Sequence, residues 1–448
     1  MSSAKVTPIS GFPELLPAER IVEQHFLDVI REVFELHGFA SIETRAVEPV
    51  ERLLGKGGDA DKEIYGVARL GGGQDAQRSE AALGLHFDLT VPFARYTLEH
   101  AGRLAFPFRR YQIQRVWRGE RPQEGRYREF TQCDIDVVDV GSLAPHFEAE
   151  MPLVVIDALR RLPIGPFVVQ VNNRQICEGF YLGIGLTDVA GTLRAVDKLD
   201  KIGPDAVRGL LVAQGASAQQ AQRCLDLAAI RTADLAFVDA VRALGVEHPT
   251  LDAGLGSLAQ VIAAGLAEAP GALVADLRIA RGLDYYTGTV YETQLVGYES
   301  WGSFCSGGRY DALASDGRTT YPGVGISIGL SRLLGLLLGQ GLVRASRATP
   351  ACVLVAVASE PERPRSGSVA AALRARGIPC EVAPSAARFG KQIRYADRRG
   401  MPFVWFPGAG PQGGDQVKDI RTGEQVDADA TRWSPPAQDL RPTVSRVG

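Results

Sequence analysis

Arginines are concentrated in one short stretch of the sequence, which reads RRYQIQRVWRGERPQEGRYR over residues 109–128. The stretch holds seven arginines but only two carboxylates, Glu120 and Glu124, so its guanidinium groups cannot all be neutralised within it. A guanidinium group stays charged and offers a planar pair of N–H donors, which suits the oxygens of a phosphate. The stretch therefore predicts a site for an anionic group, although a solvent-exposed hairpin would also be rich in arginine.

The residues that follow at every second position are Phe130, Gln132, Asp134 and Asp136. Alternate residues of a β-strand point to the same face of a sheet. We expect this strand to be partly buried, so the row would place polar groups inside a domain. Because buried polar groups need partners, a polar ligand is the economical explanation of the row.

Two further segments carry side chains that suit a ligand. Tyr285 and Tyr286 are adjacent within RGLDYYTGTVYE, residues 281–292, and Asp88 lies within HFDLTVPFARY. Paired tyrosines serve packing more often than binding, although their hydroxyls also form hydrogen bonds. Asp88 would either bind a cationic group or order a turn before Pro92. The residues alone leave both pairs of alternatives open.

Two familiar motifs are present only in form. GAGPQG at 408–413 matches the glycine pattern of dinucleotide-binding loops, but Pro411 and a strand pattern after it leave no room for the required helix. GISIG at 325–329 matches the nucleophile elbow of hydrolases, but every histidine precedes Ser327, whereas those enzymes place their histidine after the serine. Since the sequence also lacks a Walker A motif, any nucleotide chemistry must use a site without a P-loop.

Composition limits the class of protein. A chain of 448 residues is too long for one compact core and predicts roughly two to four domains. The net charge of −3 does not exclude an RNA partner, because a local basic stripe is enough for phosphate contacts. The six cysteines are far apart and form no CxxC pair, so neither a zinc site nor a disulfide framework is expected. We expect a cytoplasmic protein without a membrane partner, because no apolar run reaches the ~18 residues of a span and no signal peptide is evident.

The elements that must position these residues follow from the hydrophobic spacing. Apolar residues between Ile21 and His37 predict a helix, and β-like runs between about 85 and 140 predict an antiparallel sheet. Alanine-rich amphipathic helices dominate 187–271, which we interpret as a helical insertion. Alternating strand and helix patterns over 350–433 predict a small α/β domain with a largely parallel sheet. The Pro- and Ser-rich residues 434–448 are expected to form a flexible tail.

Taken together, these motifs resemble those of the class II aminoacyl-tRNA synthetases in the form found in histidyl-tRNA synthetases. VWRGERPQEGRYREFTQCDID is similar to motif 2 of that family, and GVGISIGLSRLLGLL (323–337) is similar to motif 3. RGLDYYTGTVYE resembles the family's histidine-recognition signature. The resemblance covers nearly the whole chain. It implies an α+β catalytic domain with an antiparallel sheet over 1–343, the helical insertion at about 187–271, and a C-terminal α/β anticodon-binding domain over 350–433.

The resemblance also implies roles for single residues. Arg118 and Arg281 would approach the α-phosphate of ATP and Arg332 the γ-phosphate, with Arg281 taking a role that related enzymes give to a metal ion. Asp136 and Tyr286 would offer an acceptor and a donor to the two nitrogens of neutral imidazole. The implied catalytic residues are Arg118, Arg281 and Arg332. The implied histidine-binding residues are Asp88, Leu89, Thr90, Arg118, Gln132, Asp136, Arg281, Tyr285 and Tyr286. The implied ATP-binding residues are Arg118, Glu120, Arg126, Phe130 and Arg332.

The implied reaction has two steps, formation of histidyl-adenylate from L-histidine and ATP and transfer of histidine to the 3′ end of tRNA(His). ATP, Mg²⁺, tRNA(His) and a homodimeric assembly follow from the resemblance, which assigns no metal ligand. Three positions depart from the family pattern: Ser331 replaces a glutamate, Ser306 a common glycine, and Arg45 stands near the motif 1 proline. These departures leave the expected phosphate and histidine contacts in place.

Two alternatives remain at the level of function. The regulatory subunit of ATP phosphoribosyltransferase resembles the synthetase catalytic domain and senses histidine without catalysis, but it usually lacks the anticodon-like domain and the signature, both of which this chain has. A class II enzyme for threonine or proline is disfavoured by the same signature. Basic residues of one C-terminal helix would contact RNA phosphates or form a solvated helix face: Arg388, Lys391, Arg394, Arg398 and Arg399.

Overall fold

The computed structural model describes residues 7–54, 63–68, 82–123, 125–279 and 285–447. The described residues form two compact units, one from 7–13 with Val29–Leu336 and the other from Glu14–Asp28 with 337–447. Arg281 lies outside the described residues, so the role expected of it remains a prediction, and Glu124 of the arginine-rich stretch lies outside them as well.

Helices are labelled here in chain order within the described residues. They are α1 (Pro17–Leu36), α2 (Val50–Leu53), α3 (Thr90–His100), α4 (His146–Arg160), α5 (Arg174–Gly183), α6 (Val189–Val196), α7 (Leu199–Ala213), α8 (Ala218–Ala228), α9 (Ala236–Ala243), α10 (Pro249–Glu268), α11 (Leu330–Gly339), α12 (Arg363–Ala375), α13 (Phe389–Arg398) and α14 (Ala437–Leu440).

Strands are labelled in the same way. They are β1 (Ala40–Ser41), β2 (Val47–Pro49), β3 (Gly66–Val67), β4 (Leu83–Leu85), β5 (Phe108–Trp117), β6 (Glu129–Val138), β7 (Phe167–Asn173), β8 (Arg231–Thr232), β9 (Leu273–Asp276), β10 (Thr289–Leu295), β11 (Cys305–Tyr310), β12 (Gly323–Gly329), β13 (Val343–Ala345), β14 (Val353–Val355), β15 (Cys380–Val382), β16 (Phe403–Phe406), β17 (Asp415–Asp419), β18 (Gln425–Ala428) and β19 (Val444–Arg446).

The larger unit is built on a nine-stranded sheet with the strand order β1-β5-β6-β12-β11-β10-β7-β9-β8. Its ladders from β5 to β7 are all antiparallel, whereas β1 pairs with β5 and β9 pairs with β7 in parallel. One face is apolar and buried, with Ile135, Ile326 and Val171 at its centre, and α4 and α10 pack against it. The α+β fold with an antiparallel sheet is therefore confirmed.

Residues 90–100 form α3, although the sequence predicted only strands and turns between about 85 and 140. The β-branched and aromatic residues of TVPFARYTLEH favour strands. Local contacts override that preference, since the Asp88 carboxylate accepts a hydrogen bond from the Val91 amide and Pro92 fits the first turn of a helix. The apolar side of α3 is then buried through Phe93 and Ala94. The antiparallel-sheet prediction was wrong for these residues.

The segment expected to be a helical insertion holds α6 to α10 and the two-residue strand β8. Helix α10 packs on α5, α4 and β7, so the end of this segment shares the core of the larger unit. By length and composition alone α10 is apolar enough to cross a membrane. Because Leu251, Leu255, Leu258, Val261 and Ile262 of α10 are buried against the protein, we interpret it as a core helix.

The smaller unit contains a five-stranded sheet with the order β15-β14-β16-β17-β18. Its first three strands are parallel, as the alternating pattern predicted, and β17 and β18 extend the sheet in antiparallel fashion. Trp405 on β16 is fully buried and lies in one cluster with Leu373 of α12 and Phe403. The GAGPQG segment lies between β16 and β17 as a loop with one short 3-10 turn, so no dinucleotide-binding helix follows it.

The residues expected to form a flexible tail are instead packed. Residues 437–440 form α14, and β19 pairs with β13 in antiparallel fashion. The cause lies in Arg347, which is only 5% exposed and donates to the carbonyl oxygens of Asp439 at 2.8 Å and Leu440 at 3.2 Å. A buried guanidinium group needs acceptors, and this segment supplies them. Composition could not reveal a partner more than ninety residues away.

Deleting residues 435–448 is expected to destabilise the smaller unit by about 3 kcal/mol or more, because Arg347 would lose two of its four carbonyl acceptors and Arg421 would lose the carboxylate of Asp439. Urea unfolding followed by tryptophan fluorescence measures the effect, since Trp405 and Trp433 both lie in this unit. Deletion of 447–448 alone serves as the control. An unfolding midpoint equal to that of the full chain would show that the segment contributes nothing.

Candidate active site

One face of the central sheet is polar, and strand pairing explains why. Gln132, Asp134 and Asp136 of β6 point to the same side, and they are 8%, 2% and 1% exposed. Their partners on β5 are Gln114, Gln112 and Arg110, and their partners on β12 are Gly329, Ser327 and Gly325. The row predicted from alternation therefore lies inside the unit. It has polar neighbours on one side and small residues on the other.

A buried ion pair anchors the inner end of this row. Arg110 is fully buried, and its Nη2 lies 2.6 Å from Oδ2 of Asp136. The Tyr310 hydroxyl donates to the other oxygen, Oδ1, at 2.7 Å. A side chain at Gly325 is excluded, because its Cβ would lie 2.0 Å from the same Oδ1. Asp136 therefore has a partner on each oxygen before any ligand binds.

A second polar cluster lies where β4 meets α3. The Asp88 carboxylate accepts from the Val91 amide at 3.1 Å and from the Tyr285 hydroxyl at 3.2 Å, so Asp88 both orders the turn and contacts the signature segment. Burial raises the pKa of Asp88 to about 6, against the opposing effect of hydrogen bonds and of Arg118. The Tyr285 and Tyr286 rings meet edge to face at 5.0 Å. The cluster therefore combines a carboxylate with two half-buried tyrosines.

Thr90 and Leu89 differ in what they present to this cluster. Thr90 forms a hydrogen bond with Tyr285 and is partly exposed. The side chain of Leu89 is fully buried, and its carbonyl oxygen accepts from Arg110 at 3.4 Å. Any contact of Leu89 with a ligand would therefore use its backbone.

A cavity of about 230 Å³ opens beside the outer end of the polar row. Three guanidinium groups, those of Arg118, Arg126 and Arg332, line it together with one carboxylate, Glu120. Glu120 lies 3.8 Å from both Arg118 and Arg126, beyond hydrogen-bonding distance. The described residues that line the cavity are Arg118, Glu120, Gly125, Arg126, Tyr127, Phe130, Gln132, Ser303, Phe304, Ser306, Ser327, Gly329 and Arg332.

The protein holds the guanidinium groups of this cavity in place. Arg118 donates through Nε to the carbonyl oxygen of Phe87 at 2.9 Å, and its Cζ lies 5.1 Å from the centre of the Phe130 ring. Arg332 donates to the carbonyl oxygen of Trp301. Burial lowers the pKa of Arg332, and the nearby positive charge of Arg126 lowers it further because like charges repel. A bound anion would relieve this repulsion.

The arginine count of residues 109–128 overstated the size of this anion site. Arg109 pairs with Glu150 of α4, Arg110 with Asp136, and Arg115 with Glu129. Carboxylates distant in sequence therefore neutralise part of the stretch, which local composition could not show. Of the seven arginines only Arg118 and Arg126 line the cavity.

All five residues expected to bind ATP line this one cavity, and Gln132 joins them. The remaining residues expected to bind histidine lie elsewhere on the polar face. Asp136 belongs to the polar row, and Thr90, Tyr285 and Tyr286 surround Asp88. Their contact with a ligand stays a prediction. Sequence reasoning assigned no role to several residues that the structure places here: Arg110, Tyr127, Trp301, Ser303, Phe304, Ser306, Tyr310 and Ser327. Asp134 belonged to the predicted polar row but was not among the residues expected to bind histidine or ATP. Arg110 alternates with Gln112 and Gln114, and this second polar row could have been found from the sequence.

Glu292, the last residue of the signature, extends the polar face to β10, where it pairs with Ser306 of β11. Burial raises its pKa to about 7, with further increases from Asp197, Asp200 and Asp276 and an opposing effect of Arg332. In the folded chain Glu292 therefore keeps its proton up to about neutral pH. An unfolded chain would release it near the ordinary value of 4.5.

Glu292→Gln is expected to stabilise the larger unit at pH 8 by about 1–3 kcal/mol and to have little effect at pH 4. The wild type loses stability as the pH rises from about 4.5 to 7, because the folded state holds a proton that the unfolded state has released. Melting temperatures of both proteins over this range measure the difference, and Glu268→Gln on the exposed side of α10 is the control. If the difference in melting temperature between Glu292→Gln and the wild type did not change with pH, the raised pKa of Glu292 would be contradicted.

Comparison with known proteins adds independent information. A family model described as histidyl-tRNA synthetase matches residues 11–333, and one described as an anticodon binding domain matches residues 352–432. The histidine–tRNA ligase of Micrococcus luteus is 59% identical over 98% of this chain and 98% of its own length. The corresponding ligase of Cutibacterium acnes is 58% identical over 98% of this chain and 99% of its own.

Solved structures show the same relationship. Histidyl-tRNA synthetase from Nostoc sp. PCC 7120 superposes with a TM-score of 0.84 at 36% identity, covering 96% of this chain and 98% of that one. A Bacillus halodurans protein described as an ATP phosphoribosyltransferase regulatory subunit/histidyl-tRNA synthetase has a TM-score of 0.71 at 20% identity over 87% of this chain and 96% of its own, and shows the shared fold alone. On its family matches and its relatives, this chain belongs to the histidyl-tRNA synthetase family.

Proposed function

We propose that this chain activates L-histidine with ATP and transfers it to tRNA(His), using the polar face of the central sheet as its active site. The observation that carries the proposal is the junction of an arginine-lined cavity with a buried row of amide and carboxylate side chains. The relatives favour this ligase reaction over the regulatory alternative, because they are histidine–tRNA ligases aligned over nearly the full chain, including the C-terminal domain.

ATP is proposed to bind in the cavity with its phosphates toward Arg118, Arg126 and Arg332. These three guanidinium groups carry more positive charge than Glu120, the single carboxylate in the lining, can neutralise. A polyphosphate needs such an excess of positive charge. The Phe130 ring, which also lines the cavity, offers an apolar face for the base. Within the described residues no group of three His, Cys, Asp or Glu side chains converges on one point. Because Mg²⁺ keeps several waters and is usually bound through substrate phosphates, we infer that it enters as part of the ATP substrate.

Histidine is proposed to lie along the polar row, with its ammonium group toward Asp88 and its side chain toward Asp136 and Tyr286. Asp88 is buried and accepts from two neutral donors, the Val91 amide and the Tyr285 hydroxyl, so a cationic nitrogen would balance its charge. Gln132 donates to Ser327 at 2.8 Å, while its Oε1 has no hydrogen-bond partner among the described residues. This free acceptor belongs to a residue that lines the cavity. A row of this kind rejects apolar amino acids, because they would leave its polar groups unpaired.

In the first step an oxygen of the histidine carboxylate would bond to the α-phosphorus of ATP, and the bond to the β-phosphate oxygen would break and release pyrophosphate. Arg118 would neutralise charge at the α-phosphate, and Arg281 is proposed to do so from the opposite side. In the second step the 3′-terminal ribose hydroxyl of tRNA would bond to the activated carbonyl carbon, lose its proton and displace AMP. Catalysis would come from positioning and charge neutralisation, since no nucleophile of the protein is needed.

Arg118→Ala, Arg332→Ala and Arg281→Ala are each expected to lower histidine-dependent ATP–pyrophosphate exchange by at least about 100-fold, because each removes a guanidinium group from the charged transition state. Arg115→Ala is the matched control on the same hairpin, since the Arg115 side chain is 63% exposed and pairs with Glu129. Circular dichroism would verify that the fold persists. Near-normal exchange in any of the three variants would remove that arginine from the proposed mechanism.

The C-terminal unit is proposed to contact the tRNA backbone through α13. Lys391, Arg394 and Arg398 are exposed and follow one another at intervals of three and four residues, so they share one face of the helix. In the part of the chain that the structure describes, none of the three has an ion-pair partner, whereas Arg399, which directly follows the helix, pairs with Glu381 at 2.8 Å. Exposed cations without carboxylate partners suit phosphates.

Changing Lys391, Arg394 and Arg398 together to Gln is expected to raise the KM for tRNA(His) by about 10-fold or more, because the helix would no longer attract the phosphates. Pyrophosphate exchange, which needs no tRNA, should stay unchanged. The slope of tRNA affinity against salt concentration should fall by roughly one unit for each phosphate that these side chains neutralise in the wild type. The charge-preserving double variant R394K/R398K is the control. An unchanged KM and salt slope would mean that this helix face is merely solvated.

The remaining expectations rest on family resemblance and are proposed with it. The domains are proposed as a catalytic domain over 1–343 with its helical insertion at about 187–271 and an anticodon-binding domain over 350–433. A homodimer and a cytoplasmic location without a membrane partner complete the proposal.

A further inference from the structure

Asp134 occupies the middle of the polar row, yet the mechanism above gives it no part. It is 2% exposed and lies on β6 between Gln132, which lines the cavity, and Asp136. Its neighbours across the sheet are Gln112 on β5 and Ser327 on β12. Asp134 therefore lies on the same face as the proposed histidine contacts and is shielded from bulk water.

The three buried carboxylates of this site differ in how their oxygens are engaged. Asp88 accepts from the Val91 amide on one oxygen and from the Tyr285 hydroxyl on the other. Asp136 is held by Arg110 on one oxygen and by Tyr310 on the other. Among the residues that the structure describes, Oδ1 of Asp134 has no hydrogen-bond partner, although it is fully enclosed. An enclosed carboxylate oxygen without a donor is costly unless a ligand supplies one.

Asp134 also takes part in a short chain of hydrogen bonds. Gln132 donates through Nε2 to Oγ of Ser327 at 2.8 Å, and Ser327 forms a side-chain hydrogen bond with Asp134. Because Oγ of Ser327 accepts from Gln132, its own proton is available for the carboxylate. This chain orients Gln132 and leaves Oδ1 of Asp134 as a separate acceptor.

The charges around Asp134 also require a donor. Arg110 is the nearby cation, but its Nη2 lies against Asp136 at 2.6 Å, while Asp88 and Asp136 add negative charge. Tyr286 lies close to Asp134, and burial together with the acidic groups around it raises the pKa of its hydroxyl. Histidine carries two kinds of nitrogen donor, the α-ammonium group and the ring N–H. Burial and the charges of Asp136 and Asp88 raise the pKa of Asp134 to about 7, and either donor would favour its ionised form.

We propose that Asp134 is a further histidine-binding residue, whose Oδ1 accepts a hydrogen bond from an N–H group of the bound amino acid. The inference rests on the proposed function, since it concerns histidine bound along the same row. It adds a direct contact at Asp134, which lies between Gln132 and Asp136, two residues already expected to bind histidine. A purely positioning role, in which Asp134 only holds Ser327 and Gln132, is the alternative that the experiment must separate.

The test is a double-mutant cycle in pyrophosphate exchange, with D134A, S327A and the combined variant. The KM for histidine should rise about 10- to 100-fold in D134A, with the KM for ATP within about twofold of wild type. The KM for histidine should rise by the same factor when D134A is combined with S327A, relative to S327A alone, because a direct contact does not need Ser327. D134N keeps the shape of the side chain, and it is expected to raise the KM for histidine by about 10-fold if the truncated variant does not fold.

Two competitive inhibitors identify the donor. Histamine has both the ammonium group and the ring, whereas imidazolepropionate has the ring without the ammonium group. If D134A weakens the binding of both inhibitors equally, the contact is with the ring N–H. If D134A weakens the binding of histamine alone, the contact is with the ammonium group. An unchanged KM for histidine, or a rise that disappears in the S327A background, overturns the proposal. Absence of exchange in the wild type would instead overturn the proposed function.

Discussion

The polar face of the central sheet depends on the ion pair between Arg110 and Asp136. Both side chains are essentially excluded from solvent, and they lie 2.6 Å apart on neighbouring strands. A pair of this kind adds little net stability, because desolvation offsets most of the attraction. Removal of one partner, however, leaves a buried charge without a counter-ion and costs about 3–5 kcal/mol. The pair therefore fixes the register of β5 against β6 and with it the direction of every polar side chain in the row. Gly325 belongs to the same constraint, because only a residue without a side chain leaves room for the carboxylate.

The constraint explains which parts of the site were predictable. Gln132, Asp134 and Asp136 share a face because a strand repeats every two residues, and that regularity is visible in a single segment. The partners of these residues depend on how distant strands align, which no single segment encodes. Arg110 was therefore counted as one arginine among seven rather than as the counter-ion of Asp136. The cavity was anticipated through the resemblance of its arginines to a known motif. Ser306 enters it because β11 pairs with β12 and β12 pairs with β6, and Ser303 lies just before β11 in the chain.

Two elements that were predicted wrongly from the sequence share a physical cause. Helix α3 has the composition of a strand, yet Asp88 caps its first turn, so one hydrogen bond and a buried face outweigh propensity. The C-terminal segment has the composition of a disordered tail, yet the buried Arg347 requires its carbonyl oxygens. In each case a polar group that must find a partner determined the local structure. Helices of the segment 187–271, by contrast, were evident from hydrophobic periodicity alone, because each buries a continuous stripe.

The pairing of β13 with β19 has a consequence for how the chain is made. Arg347 leaves the ribosome long before the carbonyl oxygens of Asp439 and Leu440, which are 92 and 93 residues further along. During that interval the five-stranded sheet can assemble, because its strands all lie between Val353 and Ala428. Until the last acceptors emerge, the guanidinium group has only the carbonyl oxygens of Thr349 and Pro350 as acceptors, and water must satisfy its remaining donors. Closure of the smaller unit is therefore a late, non-local event in biosynthesis, and nascent chains halted before residue 439 would expose the surface that the final segment covers.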